Sequence, residues 1–340
     1  MKRSFFVLLF CSIITTFGYS QEKKWQIGLF SFFDNTEFGS SAVQIPQTMS
    51  GVHFLPELGL SWDSAHSVNI GFDALHEFGS SRSVDYFYPT AYYEFDKKPY
   101  KFYMGSFPRK YAIEKYPRIF FQDSIYYYRP NITGLFWERR HNLDYINVWL
   151  DWTSRQSATK HEAFFMGFSG RYNLGVLYGQ HFGYMFHFAG TMNPASNEAL
   201  HDNGMFLTSV GIDLSKKTFF DILETNAGWV VGLDRSRTVQ AGWIVEKGFL
   251  METKLEYKGI GLFNSFYKGH GQMNFYPDHG NDLYWGDPVY RASTYNRSDI
   301  FVNFIRNRFV NVKLIYSLHF VENTVYHEQA LKVSLNLNNF

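Results

Sequence analysis

Apolar and polar residues alternate strictly near the end of the chain. Val310, Val312, Leu314, Tyr316, Leu318 and Phe320 are separated by single residues, and so are Leu331, Val333, Leu335 and Leu337. A period of two places the two sets of side chains on opposite faces of a β-strand. The polar break Glu322-Asn323-Thr324 lies between the two runs. The pattern predicts a pair of strands, each with one apolar and one polar face.

The same alternation recurs along most of the chain and predicts about 16 strands, within a range of about 14 to 18. Short turns such as Asp63-Ser64-Ala65-His66 alternate with longer segments, and both chain ends fall on the short-turn side. A turn at Glu246-Lys247-Gly248 ends the twelfth predicted strand. The thirteenth predicted strand then runs from Phe249 to Tyr267, with a glycine bulge at Gly259–Gly261. If those glycines form a turn instead, and one more strand lies within residues 268–298, the count becomes eighteen.

Residues 1–20 have the pattern of a cleaved signal peptide. Lys2 and Arg3 precede an apolar run, and Gly18-Tyr19-Ser20 supplies small residues before Gln21. The single cysteine, Cys11, lies in this segment, so the mature chain has no disulfide to stabilise it. We expect residues 21–340 to form one exported domain that regular secondary structure holds together.

Composition narrows the class of protein further. The net charge of +1 argues against a nucleic-acid binder. The chain has 36 Phe, 24 Tyr and 8 Trp, and many lie near predicted strand ends, as aromatic girdles at membrane interfaces do. No other apolar run is long enough for a transmembrane helix. Composition leaves open a soluble, aromatic-rich periplasmic β-protein.

The signal peptide, the alternating strands, the order of short turns and the terminal Phe340 together resemble Gram-negative outer-membrane β-barrels, in particular porin-like ones. The resemblance covers nearly all of the mature chain. It implies an all-β, antiparallel up-and-down transmembrane barrel in the outer membrane, in contact with the lipid bilayer and without a cofactor. It also implies insertion through the C-terminal strand ending at Phe340. Leu331 to Leu337 differ in parity from Phe340, so a bulge at Asn338-Asn339 or a different insertion signal is required.

A barrel of this size leaves an aqueous channel, and the resemblance implies passage of small hydrophilic solutes. In porin-like barrels the segment corresponding to residues 107–130 often folds inward as a constriction. By that resemblance, the candidates at the narrowest point are Arg109, Lys110, Lys115, Arg118 and Arg129, with Glu114 and Asp123. Their excess of positive charge favours anionic solutes. The alternative is that these are solvated loop charges.

Two further sets of polar residues follow from the pattern. The polar faces of the strands predict lumen residues, namely Asp73, Glu77, Asp151, Glu252, Lys254, Glu256, Lys313 and Lys332. Residues 268–298 form the longest irregular stretch, and its candidates for binding an external sugar or peptide are Tyr276, Tyr284, Trp285, Asp278, Asp282 and Asp287. The acidic spacing there fits no EF-hand, so no metal site is predicted.

Two other functions remain open from the sequence. An outer-membrane enzyme needs a positioned base, and His161, His181, His187, His201, His270 and His279 are available, but no Gly-x-Ser-x-Gly or His-Glu-x-x-His motif is present. His201-Asp202-Asn203 is the most suggestive triplet. A plugged barrel that binds surface partners through its loops is the third possibility. The sequence favours the channel and predicts no catalytic residue.

Overall fold

The computed structural model describes residues 21–194, 200–237 and 242–338, and its dominant feature is a series of long antiparallel strands. The strands are β1 (Glu22–Glu37), β2 (Gln47–Trp62), β3 (His66–Glu77), β4 (Tyr86–Lys97), β5 (Tyr100–Pro108), β6 (Asn131–His141), β7 (Asp144–Ser154), β8 (Ala163–Leu174), β9 (Leu177–Phe188), β10 (His201–Asp213), β11 (Ile222–Ser236), β12 (Ile244–Tyr257), β13 (Ile260–Gly269), β14 (Thr294–Arg306), β15 (Val310–Val321) and β16 (Thr324–Asn338).

Each strand pairs with its neighbours in the sequence, and β1 pairs with β16, so the sheet closes into a barrel. Closure is in continuous register, from Gln26 opposite Asn338 to Glu37 opposite His327. A closed barrel has no sheet edge and satisfies its backbone hydrogen bonds internally. The predicted up-and-down barrel of 16 strands is confirmed.

The prediction for the twelfth and thirteenth strands was wrong. Glu246, Lys247 and Gly248 lie within β12 and pair with β11, and Gly248 also pairs with β13. The turn is at Lys258-Gly259, where both residues have positive φ values, of 50° and 82°. Glycine tolerates this backbone region, which is why the chain reverses there. One predicted turn is lost and another gained, so the strand count does not change.

The outside of the barrel is apolar. Val210 on β10 and Trp229 on β11 are 71% and 68% exposed, and Leu58 on β2 and Ile70 on β3 are 69% and 63% exposed. Alternate residues of the same strands, such as Leu207 and Val230, are buried inside. An apolar belt around a closed barrel is the surface that faces lipid. The protein is therefore an outer-membrane β-barrel. Among the described residues, no helix has the length and hydropathy needed to cross a bilayer.

Two irregular segments fold into the barrel rather than away from it. Residues 109–130 contain the short helices α1 (Lys110–Ile113) and α2 (Asp123–Tyr128). Residues 270–293 contain α3 (Tyr276–His279) and two 3-10 turns, Gly280–Asp282 and Pro288–Arg291. We call these the first and second inward segments. Both connect strands at the external end, opposite the periplasmic end where the described chain ends lie. The predicted signal peptide and the insertion signal at Phe340 fall outside the described residues and stay predictions.

Candidate functional site

Arg109 fixes the first inward segment to the barrel wall. Its guanidinium forms a buried ion pair with Asp151 on β7, with Nη1 and Oδ2 2.6 Å apart. The other guanidinium nitrogens donate to the carbonyls of Arg129 at 2.6 Å and Asn131 at 2.5 Å. The Arg109 backbone N–H donates to the Pro130 carbonyl at 2.6 Å, so the two ends of the segment meet. Arg109 thus holds the two ends of the first inward segment together and connects them to β7.

Replacing Arg109 by Met should destabilise the protein by about 3–5 kcal/mol, because Asp151 would be left buried without its cation. The free energy of unfolding in urea, measured on protein refolded into lipid vesicles, tests this expectation. The exposed Arg155→Met is the matched control and should change stability by less than about 0.5 kcal/mol. Equal stability of the two variants would mean that the Arg109 ion pair does not hold the segment.

Aromatic side chains fill the external half of the lumen. Trp285 of the second inward segment contacts the guanidinium groups of Arg109 and Arg129, which lie 4.9 and 4.7 Å from its ring centre. Its ring is 4.6 Å from that of Phe165 on β8. One continuous buried cluster joins both inward segments to inward-facing residues of β4 through β15. Within the described residues, this cluster fills much of that half of the barrel with closely packed side chains.

A network of half-buried and buried charges lies beside the aromatic cluster. Arg118 bridges Asp123 and Asp299, at 3.0 Å each, and the Lys332 ammonium is 2.9 Å from Asp123. Burial would raise the pKa of Asp123, but Arg118 and Lys332 hold it well below its usual range. In the second inward segment, burial raises the pKa of Asp287 to about 6. The network therefore fixes ionised groups between the first segment and β14 to β16.

Arg297 on β14 is the central cation of this network. It donates to Asp299 at 2.5 Å, to Ser317 at 3.0 Å and to both carboxylate oxygens of Glu328, at 3.1 and 2.9 Å. Asp34, Asp123 and Glu328 bring carboxylate oxygens within 4.8 Å of one another. Cations of the chain pair with Asp123 and Glu328, so these two carboxylates belong to a salt-bridge network.

Arg297→Met should cost about 3–5 kcal/mol of unfolding free energy, because the buried Glu328 would lose its arginine partner and Asp299 would keep only Arg118. Adding Glu328→Gln to that variant should recover part of the loss, since the charge that lost its arginine is then removed. Urea unfolding of the two single variants and the double variant measures the coupling. Additive effects would show that the two side chains do not interact.

The predicted lumen and constriction residues all lie inside the barrel or on its inward segments. Lys110, Glu114, Lys115, Arg118 and Asp123 line a cavity of about 840 Å³ that opens at the periplasmic end, and so do Glu252, Lys254, Lys313 and Lys332. We call this cavity the vestibule. The remaining lumen candidates are held by partners: Asp73 by His53, Glu77 by Tyr128, Asp151 by Arg109 and Glu256 by Arg306. The vestibule ends against the aromatic cluster.

The candidates for an external binding surface do not form one. Tyr284, Trp285 and Asp287 are buried inside the barrel, and the Tyr284 hydroxyl donates to Asp234 on β11 at 2.7 Å. Tyr276 is half-buried, and only Asp278 and Asp282 are exposed. The reason is that the segment folds inward and uses its aromatic rings for packing. A shared surface platform was therefore the wrong expectation for Tyr284, Trp285 and Asp287.

A row of chemically distinctive side chains crosses five strands on the outer wall, near the external end. Cross-strand pairing connects them in the order Trp152, Phe164, His187, Asp202 and Arg235, from β7 to β11. Residues of opposite parity on the same strands, such as Phe165, Phe186 and Met205, belong to the buried cluster, so the row faces outward. We call it the outer-wall site. The exposed Trp152 places it at the aromatic girdle that marks the membrane interface.

Asp202 organises the charged half of the outer-wall site. The His187 Nδ1 atom is 2.7 Å from its Oδ1 atom, so His187 donates from Nδ1 to the carboxylate. Arg235 donates to Asp202 at 3.1 and 2.6 Å, and Arg237 at 2.8 and 3.0 Å. Hydrogen bonds to Asp202 raise the pKa of Arg237. Arg235 also lies over the Trp243 ring, 4.4 Å from its centre. Two guanidinium groups around one carboxylate leave the site with a net positive charge.

Comparison with known protein families shows which family the chain belongs to. Residues 18–339 match the model of the family described as "Lipid A 3'-O-deacylase-type". The chain belongs to the lipid A 3'-O-deacylase-type family. No curated protein matches it. This member resembles solved outer-membrane barrels in fold alone, at low sequence identity.

Two of these structures illustrate the similarity in fold. A loop L8 deletion mutant of OmpT from Vibrio cholerae has a TM-score of 0.57 at 8% identity, covering 94% of this chain and 100% of that one. The outer membrane protein OprD from Pseudomonas aeruginosa has a TM-score of 0.54 at 10% identity, covering 94% and 95%. Both support the barrel architecture of this lipid A 3'-O-deacylase-type protein.

Sequence reasoning missed the outer-wall site of this family member. His187 was one of six histidines without a motif, and Asp202 was noted only beside His201. In the structure His201 points inward, with its ring 4.2 Å from that of His279, while Asp202 points outward to His187. Strand alternation could have assigned opposite faces to His201 and Asp202. The register that aligns His187 with Asp202 could not be read from the sequence.

Proposed function

We propose that this protein hydrolyses acyl esters of lipid A in the outer leaflet of the outer membrane. The observation that carries the proposal is the hydrogen-bonded His187 and Asp202 pair on the lipid-facing wall. Membership of the lipid A 3'-O-deacylase-type family supports the substrate class. An enzyme acting on a membrane lipid must present its catalytic groups to the bilayer, and the outer-wall site does so without an open lumen.

The geometry of His187 suits a general base. Because Nδ1 donates to Asp202, the unprotonated Nε2 atom is available to accept a proton from water. In the proposed step, water attacks the ester carbonyl carbon while Nε2 takes its proton. The bond from that carbon to the alcohol oxygen then breaks, and His187 returns the proton to the departing oxygen. The products are a fatty acid and an alcohol, so no oxidant or other co-reactant is required.

Arg235 and Arg237 supply positive charge beside the base. Each uses two nitrogens on Asp202, which leaves further guanidinium N–H groups of both residues for an anion. Cationic donors stabilise the negative oxygen that develops on the attacked carbonyl. A second outward pair, His76 and Asp85, has its atoms 3.6 Å apart, which is too long for a hydrogen bond. We therefore assign the chemistry to His187.

A second candidate function is passage of small hydrophilic, anionic solutes through the barrel. The observation that favours it is the vestibule, whose lysine-lined wall reaches the first inward segment from the periplasmic end. Passage requires the two inward segments to leave the lumen. We rank it second because the aromatic cluster closes the external half of the barrel.

Mass spectrometry of lipid A incubated with the purified protein in mixed micelles tests the proposal. We expect loss of one acyl chain from lipid A and release of the matching fatty acid. Because the ester oxygen stays with the sugar, reaction in ¹⁸O-water should label the fatty acid and not the sugar alcohol. Unchanged lipid A with correctly folded protein would reject hydrolysis and move the channel candidate forward.

A further inference from the structure

We propose that the vestibule holds a binding site for a small carboxylate with an apolar body, entering from the periplasm. The site lies between Lys254 on β12 and Lys313 on β15, over an apolar wall formed by Phe263, Phe301 and Ile315. It is on the opposite side of the aromatic cluster from the external end of the barrel. The inference is independent of the proposed hydrolysis and of whether the lumen ever opens.

Lys313 and Lys332 face the same cavity from directly opposite positions on β15 and β16. Like charges at directly paired positions of a sheet repel each other. Asp123 neutralises Lys332, with the two charged atoms 2.9 Å apart. Within the described residues, Lys313 has no carboxylate oxygen within 4.0 Å, and its ammonium lies 4.1 Å from the centre of the Phe301 ring. A bound anion would relieve the repulsion.

Most acidic groups around the vestibule are already paired with cations, and within the described residues the two exceptions are Glu114 and Glu252. Glu224, the cross-strand partner of Lys254, is bonded to Arg171 at 2.6 Å. Asp299 is shared by Arg118 and Arg297. Glu252 lies two positions from Lys254 on the same wall and, in the described part of the chain, has no ion-pair partner. Lys254 and Lys313 therefore retain positive charge for an anion, while Glu252 opposes one.

The wall between the two lysines is unusual for a wet lumen because it is apolar. Phe301 and Ile315 are buried in a small cluster with Ala330, and Phe263 packs against it. These side chains lie on β13, β14 and β15, and strands β13 and β14 separate the strand of Lys254 from the strand of Lys313. A purely inorganic anion gains nothing from this surface. A carboxylate on an aromatic or short aliphatic body matches both the cations and the wall.

Binding of benzoate to the full-length protein in detergent micelles, followed by saturation-transfer difference NMR and calorimetry, tests the site. We expect saturable binding, with the neutral isostere benzamide and the small anion acetate each at least tenfold weaker. Lys313→Gln and Phe301→Ala should each weaken benzoate binding at least tenfold, while Glu252→Gln should strengthen it. The exposed Lys217→Gln, at the same end of the barrel, is the matched control and should bind as the unaltered protein does.

Three results would overturn the inference. Equal binding of benzamide would mean partition into the micelle rather than recognition of a carboxylate. Unchanged benzoate affinity in Lys313→Gln would place the anion elsewhere. Absence of saturable binding to folded protein would mean that the vestibule holds only water. Lipid A hydrolysis is measured at the outer wall, so these results and the fate of the hydrolase proposal can be distinguished.

Discussion

His187→Gln should lower the rate of lipid A deacylation by about 10³-fold, because the general base is removed while the outer-wall row stays in place. Gln keeps an amide near Asp202 but cannot take a proton from water. Asp202→Asn should give a loss of similar size, since Asp202 fixes the tautomer of His187. The measurement is the initial rate of fatty acid release under saturating lipid A.

The control for this prediction is His76→Gln on the opposite side of the barrel. His76 also faces outward beside an aspartate, Asp85, but at 3.6 Å. We expect its deacylation rate to match that of the unaltered protein. Full activity of His187→Gln would remove the outer-wall site from the mechanism.

Removing the first inward segment should convert a closed barrel into a conducting one. The Arg109 N–H and the Pro130 carbonyl are 2.6 Å apart, so a short Gly-Ser linker can replace residues 111–128 without straining β5 and β6. The deletion removes Tyr116, Phe120 and Phe121 from the aromatic cluster. A barrel of 16 strands without this packing is wide enough for an aqueous channel.

Single-channel recording in planar lipid bilayers measures this effect. The intact protein should show no discrete conductance, whereas the deletion variant should show stable steps, with a salt gradient reporting ion selectivity. A variant shortened by residues 157–160 in the surface loop between β7 and β8 is the control and should stay closed. Discrete steps from the intact protein would show that the segments leave the lumen and would put solute passage ahead of hydrolysis.

The two experiments address different surfaces of one barrel. Conductance reports on the lumen, which the inward segments fill, while deacylation reports on the wall that contacts lipid. A protein that is closed and hydrolytic fits the proposed function. One that is open and inactive fits the second candidate. In the described part of the chain, the side-chain contacts of His187 are with Asp202 and Phe164 rather than with the inward segments, so each result can be read on its own.

The sequence determined the architecture because alternation is a local property. Val310 to Phe320 and Leu331 to Leu337 each have one apolar and one polar face, and that period is enough to predict strands with a lipid-facing side. The lumen set, from Asp73 to Lys332, followed from the same parity. The prediction of the twelfth and thirteenth strands was wrong because it placed a turn at Gly248, and glycine occurs inside strands as well as in turns. Positive φ at Lys258 and Gly259 is visible only in the structure.

The tertiary structure decided where the irregular segments and distant charges go. The charges of residues 109–130 suggested a constriction. Whether these charges line a pore or hold the segment in place inside the barrel depends on partners such as Asp151 and Asp299, which lie on strands far away in the sequence. Trp285 lies in an aromatic and acidic stretch that suggested an exposed binding surface, but in the structure it is buried and packs against Phe165. His187 and Asp202 meet because the register of β9 and β10 aligns them, and register is set by the whole closed sheet. Local periodicity fixes which face a side chain takes, whereas its partner depends on contacts between residues far apart in the chain.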